Sequence, residues 1–558
     1  MVRASLGSKA KLSVPKAPEI KGTAVEESYP MYAIPVKDFL QLKKWRPHQV
    51  WWRREWGLGM GGAGAAGDAV WLTSPDTGAT VTWAAARGAA REIACQLDAL
   101  GLAPGASVAV AAQNSIWSTL CFTGITTGGY LATPLNLVAG ARVLSYVLGH
   151  SGAGLVLCTD EQRDMVEEAI ASVDHDVTII RLDPDKGPDW PQDNSPGEAP
   201  RATPDANTPG LLMYTSGTTG NPKGVVLTHA NLMAAGMNVV TGHGVRADDT
   251  AMCVLPIYHI NGLCVTVMGT LMSASGLAMP YRFSVRAFWS QVRDSNVSWF
   301  SAVPTLFAYL LNDETPPDID RGRLRFSRSA SAPLSPEIHR RFEDRFHIPI
   351  IETMGLTETG AQILTNPMPP ASRKIGSPGI AVGNEIIIGD DMQSEVARGT
   401  TGEILVRGAN VMQGYLHQPE ETAKTITADG WLRTGDLGHM DEDGFVFVTG
   451  RIKELIIKGG ENIAPREVDE VLLEHDDILE AAAFAVPCDN YGQRVEACIR
   501  YKPGREAGES DLLAHCVSRL GKFKSPDRVH VLEDLPKGPS GKVQRLKLHD
   551  MVYGGDAA

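Results

Sequence analysis

Twelve consecutive residues, Tyr214-Thr215-Ser216-Gly217-Thr218-Thr219-Gly220-Asn221-Pro222-Lys223-Gly224-Val225, constrain this chain more than any other stretch. Hydroxyls at Thr215, Ser216, Thr218 and Thr219 and glycines at 217, 220 and 224 crowd around one lysine, behind an apolar run at Leu211, Leu212 and Met213. This is the composition of a turn that holds a polyphosphate. Glycine lets successive amides point at one anion, hydroxyls donate from the flanks, and lysine adds a mobile positive charge. The pattern is not the common phosphate loop G-x-x-x-x-G-K-[ST], because Pro222 precedes Lys223 and Gly224 follows it.

Length and charge set the frame for that turn. At 558 residues the chain is too long for one ordinary core and predicts two to four domains. A formal charge of -13 argues against a nucleic-acid surface as its main business, while local donors and a counter-cation still allow a polyphosphate to bind. The eight cysteines show no C-x-x-C pair, which predicts reduced, mostly buried thiols rather than zinc or disulfides. The first residues carry lysines but no apolar h-region, so no secretory signal is expected and the predicted location is cytoplasmic. No Asp, Glu, Lys or Arg occurs from Thr250 to Tyr281, yet His259, Asn261, several glycines and two prolines interrupt the stretch. A strand followed by a buried helix is expected there, not a membrane span.

Read in order, residues 1–68 form a Lys/Pro-rich extension with Trp51, Trp52 and Trp56 as packing anchors. From Ala69 the text becomes regular: a hairpin-like pair, a helix over 84–100, and then short Val/Ile/Leu-rich runs alternating with helical stretches. Residues 183–207 read as a proline- and acid-rich surface connector that delivers the chain to the phosphate turn, and VVLTHANLMAAGMNVV after it reads as a helix. Two further runs, Ser327 to Pro333 and Ile350 to Thr359, each read as a strand entering a small-residue turn. The last hundred residues form an independent pattern of helix EVDEVLLEH and strands LEAAAFAVP and VEACIRYKP. The predicted class is α/β, with a large multilayered N-terminal domain over 69–452 and a small mobile α+β C-terminal domain over 453–558.

The turn at 214–225, SRSASAP, ETMGLTET, WLRTGD, GRIKELIIKGGEN and PSGKV together resemble the signatures of the adenylate-forming superfamily, which holds acyl-CoA synthetases, luciferase and the adenylation domains of peptide synthetases. The resemblance runs from about Ala69 to the C-terminus and implies ATP, Mg2+ and coenzyme A as partners of a carboxylic acid. It places Thr215, Ser216, Gly217, Thr218, Thr219 and Lys223 on the phosphates. Ser331, Ala332, Pro333, Glu352, Thr353 and Met354 fall around the adenine, with Met354 where the family usually carries an aromatic. Thr357 lies near the α-phosphate and Glu358 on the metal. Asp436 and Arg451 match the ribose positions, Lys453 the hinge, Gly459 and Gly460 the phosphopantetheine passage, and Lys542 the lysine that enters the site during adenylation.

The acid pocket is expected around His259, Asn261, Arg328 and Ser329, with Thr305 also near it. So many donors suit a short polar acid with a second anionic or hydrogen-bonding group rather than a long fatty acid. The texture is closest to oxalate-CoA ligases and related short-acid ligases, acting on oxalate, malonate or a sulfonated acid. A medium-chain fatty or aryl acid is the alternative substrate. A stand-alone adenylation module loading a carrier protein, luciferase-like oxidation of the adenylate, and a non-catalytic binding paralogue are the alternative functions. Monomer and homodimer are both compatible with the sequence.

Overall fold

The computed structural model describes residues 67–215, 221–313, 321–537 and 543–554. The expected N-terminal extension up to residue 66, the centre of the phosphate turn (Ser216 to Gly220) and the segment Gly538 to Lys542 lie outside the described residues.

Two sheets make the body of the large domain. One runs Ile380–Ala381, Ala361–Thr365, Ile350–Leu356, Phe326–Ser329, Trp299–Ala302, Thr250–Cys253, Gly276–Ala278, Val70–Thr73, Thr80–Thr82. Its centre is parallel, from Val70–Thr73 through Ile350–Leu356. The other runs Gly414–Tyr415, Lys223–Thr228, Pro209–Thr215, Leu131–Pro134, Ser107–Ala111, Leu155–Cys158, Thr178–Asp183, Gly187–Pro188.

Burial shows how these sheets stack. Helix Ile116–Thr127 is buried at every residue except Trp117, and helix His229–His243 is buried on most sides. Helices without a polar face need neighbours all round, and these two share one core with strands of both sheets. Helix Val285–Asp294 buries only Phe288, Trp289 and Val292, and packs with helices Pro304–Asn312 and Pro336–Phe346 in a separate aromatic core on the outer face of the first sheet. A matching layer, with Leu144, Val147, Val166 and Ala169, covers the second sheet. The result is the expected multilayered α/β domain.

Residues 250–281 form strand Thr250–Cys253, a π-helix Asn261–Met268 running into helix Gly269–Ser273, and strand Gly276–Ala278. That is the expected strand and buried helix, and among the described residues no helix is long and apolar enough to cross a membrane. All eight cysteines are free, and only Cys488 is not buried. Two local expectations need correction. Val225 to Thr228, expected to open a helix, belong to strand Lys223–Thr228, which pairs antiparallel with Pro209–Thr215 on one side and Gly414–Tyr415 on the other. Met354, Gly355 and Leu356 continue their strand instead of turning, because they pair with Ala361–Thr365.

A four-stranded antiparallel sheet, Asn384–Gly389, Gly402–Gly408, Leu432–Met440, Val446–Arg451, follows the body. Beyond it lies a five-stranded unit in which Gly492–Tyr501 pairs with Ile478–Cys488, Ile456–Lys458 and Val529–Val531. Helices Pro465–Leu473 and Glu509–Lys524 close its core around Val468, Leu472 and Leu512. This is the small C-terminal domain of the predicted class.

Gly355 is fixed by sterics, since a Cβ there would lie 1.2 Å from the carbonyl oxygen of Ala361 in the partner strand. Gly88 lies exposed inside helix Trp83–Ala99, with open space around its Cβ position. Gly355→Ala is therefore expected to destabilise by about 3 kcal/mol, while Gly88→Ala stabilises by roughly 0.5–1 kcal/mol. Urea midpoints of the two variants check the opposite signs.

Candidate active site

The phosphate turn closes a hairpin whose last described pair is Thr215 opposite Lys223. Tyr214, which leads into it, bonds through its hydroxyl to His150 Nδ1 at 2.8 Å. Thr215 Oγ1 donates to the Lys223 carbonyl at 3.5 Å, a long contact. Lys223 Nζ donates to Glu421 Oε2 at 2.7 Å and stands 4.9 Å from the centre of the Tyr415 ring. Tyr415 in turn donates its hydroxyl to Glu358 Oε1 at 2.8 Å. Lysine, tyrosine and glutamate thus meet where the two sheets converge. Tyr415 and Glu421 carry no signal in an isolated sequence beyond an ordinary Tyr and Glu, and sequence reasoning missed both.

Paired to Lys223 and Lys424, the exposed carboxyl of Glu421 falls to about 2. Its folded value is depressed, so whatever the pair contributes is present above the ordinary glutamate range and lost only as pH falls toward 2.

The turn bearing Thr357, Glu358 and Thr359 is a 3-10 segment at the tip of the hairpin from Ile350–Leu356 to Ala361–Thr365. Its backbone is anchored by Met412 N to Glu358 O at 2.8 Å and Asn410 Nδ2 to Thr359 O at 2.7 Å. The same segment is held at Ala409 and Val411 by the Asn231 amide. Asn231 also closes the capping box with Thr228 at the start of helix His229–His243. Chain leaving the phosphate turn therefore fixes, within a few residues, the turn that carries Glu358.

Strand Phe326–Ser329 lies between Trp299–Ala302 and Ile350–Leu356, with Ser329 opposite both Ala302 and Glu352. Thr353 Oγ1 donates to the Ser329 carbonyl at 3.2 Å. Glu352 is 3% exposed, accepts a 3.4 Å bond from Leu334 N, and has its ionisation disfavoured by burial. Its Oε2 and Ser329 Oγ are buried without a hydrogen-bond partner among the described residues. Unpartnered polar atoms at the carboxyl ends of parallel strands are where an α/β fold receives a ligand. Ser331, Ala332 and Pro333 form the turn beyond, with Ser331 exposed at φ 72°. Met354 is half-buried and packs against the main core.

The acid-side residues fall at the same strand ends. His259 is half-buried, with its ring edge-on to Tyr258 at 4.8 Å. Asn261 opens the π-helix, a rare element concentrated at functional sites. Arg328 lies deeper, 1% exposed.

Asp436 and Arg451 are opposed in neighbouring strands and form a two-pronged pair, Nε to Oδ1 at 2.6 Å and Nη2 to Oδ2 at 3.3 Å. Lys453 is exposed in the 3-10 segment Ile452–Glu454 that leads to the small domain. Gly459 and Gly460 join strands Ile456–Lys458 and Glu461–Ile463, with φ of 59° and 87°. Positive φ at both centres of a two-residue hairpin suits glycine, so turn geometry already explains this pair. Ser216, Gly217, Thr218, Thr219 and Lys542 lie outside the described residues.

Among the described residues no three His, Cys, Asp or Glu side chains cluster to hold a metal. Glu358 still fits Mg2+, which takes hard oxygen and is commonly held by one or two carboxylates with substrate phosphates completing its shell.

Residues 62–416 match the AMP-binding enzyme family and residues 467–542 the AMP-binding enzyme C-terminal domain. Sulfoacetate-CoA ligase of Cupriavidus necator is 43% identical over 86% of this chain and 94% of its own length. Oxalate-CoA ligase of Arabidopsis thaliana is 35% identical over 80% and 88%. The crystal structure of ATP-bound MatB from Rhodopseudomonas palustris superposes with a TM-score of 0.83 at 28% identity, covering 90% of this chain and 98% of that one. The chain belongs to the AMP-binding enzyme family. Within it, the chain is a ligase that makes CoA thioesters.

Tyr415→Phe removes the bond to Glu358 while leaving the ring beside Lys223. Loss of a hydrogen bond to a charged group predicts a roughly 10- to 100-fold fall in kcat/KM for MgATP, with the melting temperature little changed. Acid-dependent pyrophosphate release and a thermal melt measure the two.

Proposed function

We propose that this protein is an AMP-forming acid-CoA ligase for short acids bearing a second polar or anionic group, such as sulfonated two-carbon acids, oxalate or malonate, and that it works in the cytoplasm. The observation that carries the ligase reading is the convergence of Lys223, Tyr415 and Glu358 from separate elements at one cleft. Support for the acid comes from the polar set His259, Asn261, Ser329 and Arg328, and from the relatives named for sulfoacetate and oxalate.

The reaction has two parts. A carboxylate oxygen of the acid attacks the α-phosphorus of ATP, and the bond from that phosphorus to the bridging oxygen breaks, releasing pyrophosphate and leaving an acyl-adenylate. The CoA thiol sulfur then attacks the acyl carbon, the carbon-oxygen bond to AMP breaks, and the thiol proton passes to solvent. Mg2+, when bound, neutralises phosphate charge and makes the pyrophosphate a better leaving group.

The protein must bring two anions together and stabilise charge growing on the bridging oxygen. Lys223 is placed for the phosphates and leaves Glu421 to meet them. Glu358, steadied by Tyr415, keeps one carboxylate ready for the metal. Asp436 is held flat by Arg451 and presents acceptors suited to the ribose hydroxyls. Lys542 enters between carboxylate and α-phosphate in the first step and withdraws as the small domain swings about Lys453, with the domain boundary set at 452/453. The passage beside Gly459 and Gly460 then admits the pantetheine arm.

Two measurements test this reading. Pyrophosphate release across sulfoacetate, oxalate, malonate, aryl and fatty acids is expected to be fastest with the short anion-bearing acids, and preference for a fatty acid would refute the substrate class. Lys542→Ala is expected to slow adenylate formation on the order of 100-fold or more while synthetic acyl-adenylate still reacts with CoA at close to the normal rate. Equal loss of both halves would refute the role given to Lys542.

A further inference from the structure

A buried cation without a countercharge lies under the acid side of the cleft. Arg328 is 1% exposed, and no carboxylate among the described residues lies within ion-pair distance of it. Its neighbours are neutral acceptors. Nη1 donates to Asn261 Oδ1 at 2.8 Å and to Ser301 Oγ at 2.9 Å, and Nε donates to Gln362 Oε1 at 3.3 Å. His243 also bonds Gln362 Oε1, at 2.9 Å, and burial drives its pKa down to about 3, so it adds no charge at neutral pH. Burial also lowers the guanidinium pKa, to about 9. Leaving a guanidinium dry and unpaired is costly, so folded proteins usually keep one only with a partner.

The bonds around Arg328 have a fixed direction. Guanidinium only donates, so Asn261 must turn Oδ1 toward it. Ser301, which accepts from Arg328, donates its own hydrogen to the same Oδ1 at 3.0 Å. The Asn261 NH2 therefore faces the other way and donates to Ser331 Oγ at 3.0 Å. Ser331 accepts that bond and keeps its own hydrogen to give outward. Its backbone is held at φ 72°, outside the comfortable range for serine, in the exposed turn at the mouth of the cleft.

We propose that Arg328, Asn261 and Ser331 form a one-way chain of donors that selects acids carrying a second, oxyanionic group and rejects those carrying an ammonium at that position. This deepens the ligase reading and rests on the acid lying at these strand ends. Ser331, which the family pattern puts beside the adenine, is assigned here to the distal group of the acid through its bond from Asn261, while Asn261 and Arg328 are positioning residues: Asn261 fixes the hydroxyl direction, and Arg328 fixes the amide and supplies the positive potential. A carboxylate or sulfonate oxygen accepts from the outward hydroxyl and answers the buried charge. An ammonium could reach only the second lone pair of the hydroxyl and would face the uncompensated charge of Arg328.

Asn261→Asp tests the chain with little change in shape. Aspartate cannot donate to Ser331, so the hydroxyl turns inward to it, and the new carboxylate pairs with Arg328 and removes the uncompensated charge. Steady-state pyrophosphate release is measured with sulfoacetate, propionate and β-alanine for the wild type, Asn261→Asp, Arg328→Met and Arg328→Lys. The expected result is a roughly 10- to 100-fold fall in the ratio of kcat/KM for sulfoacetate over propionate in Asn261→Asp. The fall appears mainly in KM, with a shift toward β-alanine. Arg328→Lys, which keeps a donor, should retain more of the preference than Arg328→Met. A wild type that takes sulfoacetate and an Asn261→Asp variant with an unchanged ratio would overturn the chain alone. A wild type that uses propionate but no anion-bearing acid would overturn both the chain and the proposed substrate class.

Discussion

The cleft depends on one tyrosine that belongs to neither of the residues it serves. Tyr415 lies in a two-residue strand at the edge of the second sheet, paired with the strand that begins at Lys223. Its ring lies beside the Lys223 ammonium and its hydroxyl reaches Glu358, at the tip of a hairpin from the first sheet. A cation beside an aromatic face and a carboxylate accepting the phenol are both favourable contacts. Together they keep a positive and a negative group near each other without letting them neutralise each other. Lys223 is paired instead with Glu421, at 2.7 Å, so the phosphate role proposed for it requires that pair to open.

Helix His229–His243 braces the segment that anchors the Glu358 turn, through the Asn231 bonds to Ala409 and Val411. The small domain has its own core and meets the rest of the chain through contacts such as Arg466 Nη1 to the Val448 carbonyl at 2.7 Å. It contains a buried ion triad in which Arg545 meets Asp469 at 2.6 Å and Glu454 at 3.4 Å. Such a triad is expensive to desolvate and intolerant of losing one member. Here it ties Arg545, near the end of the chain, to Glu454 and Asp469.

Much of this was legible in the sequence because it is local. Glycine and hydroxyl spacing singled out residues 214–225, whose described flanks pair as a hairpin, and β-rich runs between helical stretches marked the layered α/β body. Asp436 and Arg451, fifteen positions apart, were found through the family pattern and prove to be cross-strand partners. What could not be read depends on contacts distant in sequence. Val225 to Thr228 read with the helical text after them, yet edge pairing with Gly414–Tyr415 makes them part of a strand. Tyr415 and Glu421 gained their meaning only when the fold brought them to Lys223. Arg328 was visible as a candidate, but its lack of a countercharge and the direction of its bonds appear only in three dimensions.

Lys223 and Glu358, carried by different sheets, are proposed to act on a single MgATP. A double-mutant cycle on acid-dependent pyrophosphate exchange, with Lys223→Ala, Glu358→Gln and the pair, tests it most directly. The account predicts strong coupling, with the double variant at least about tenfold more active than the product of the single losses. Losses that simply multiply would mean that the two groups act on separate events, and would contradict it.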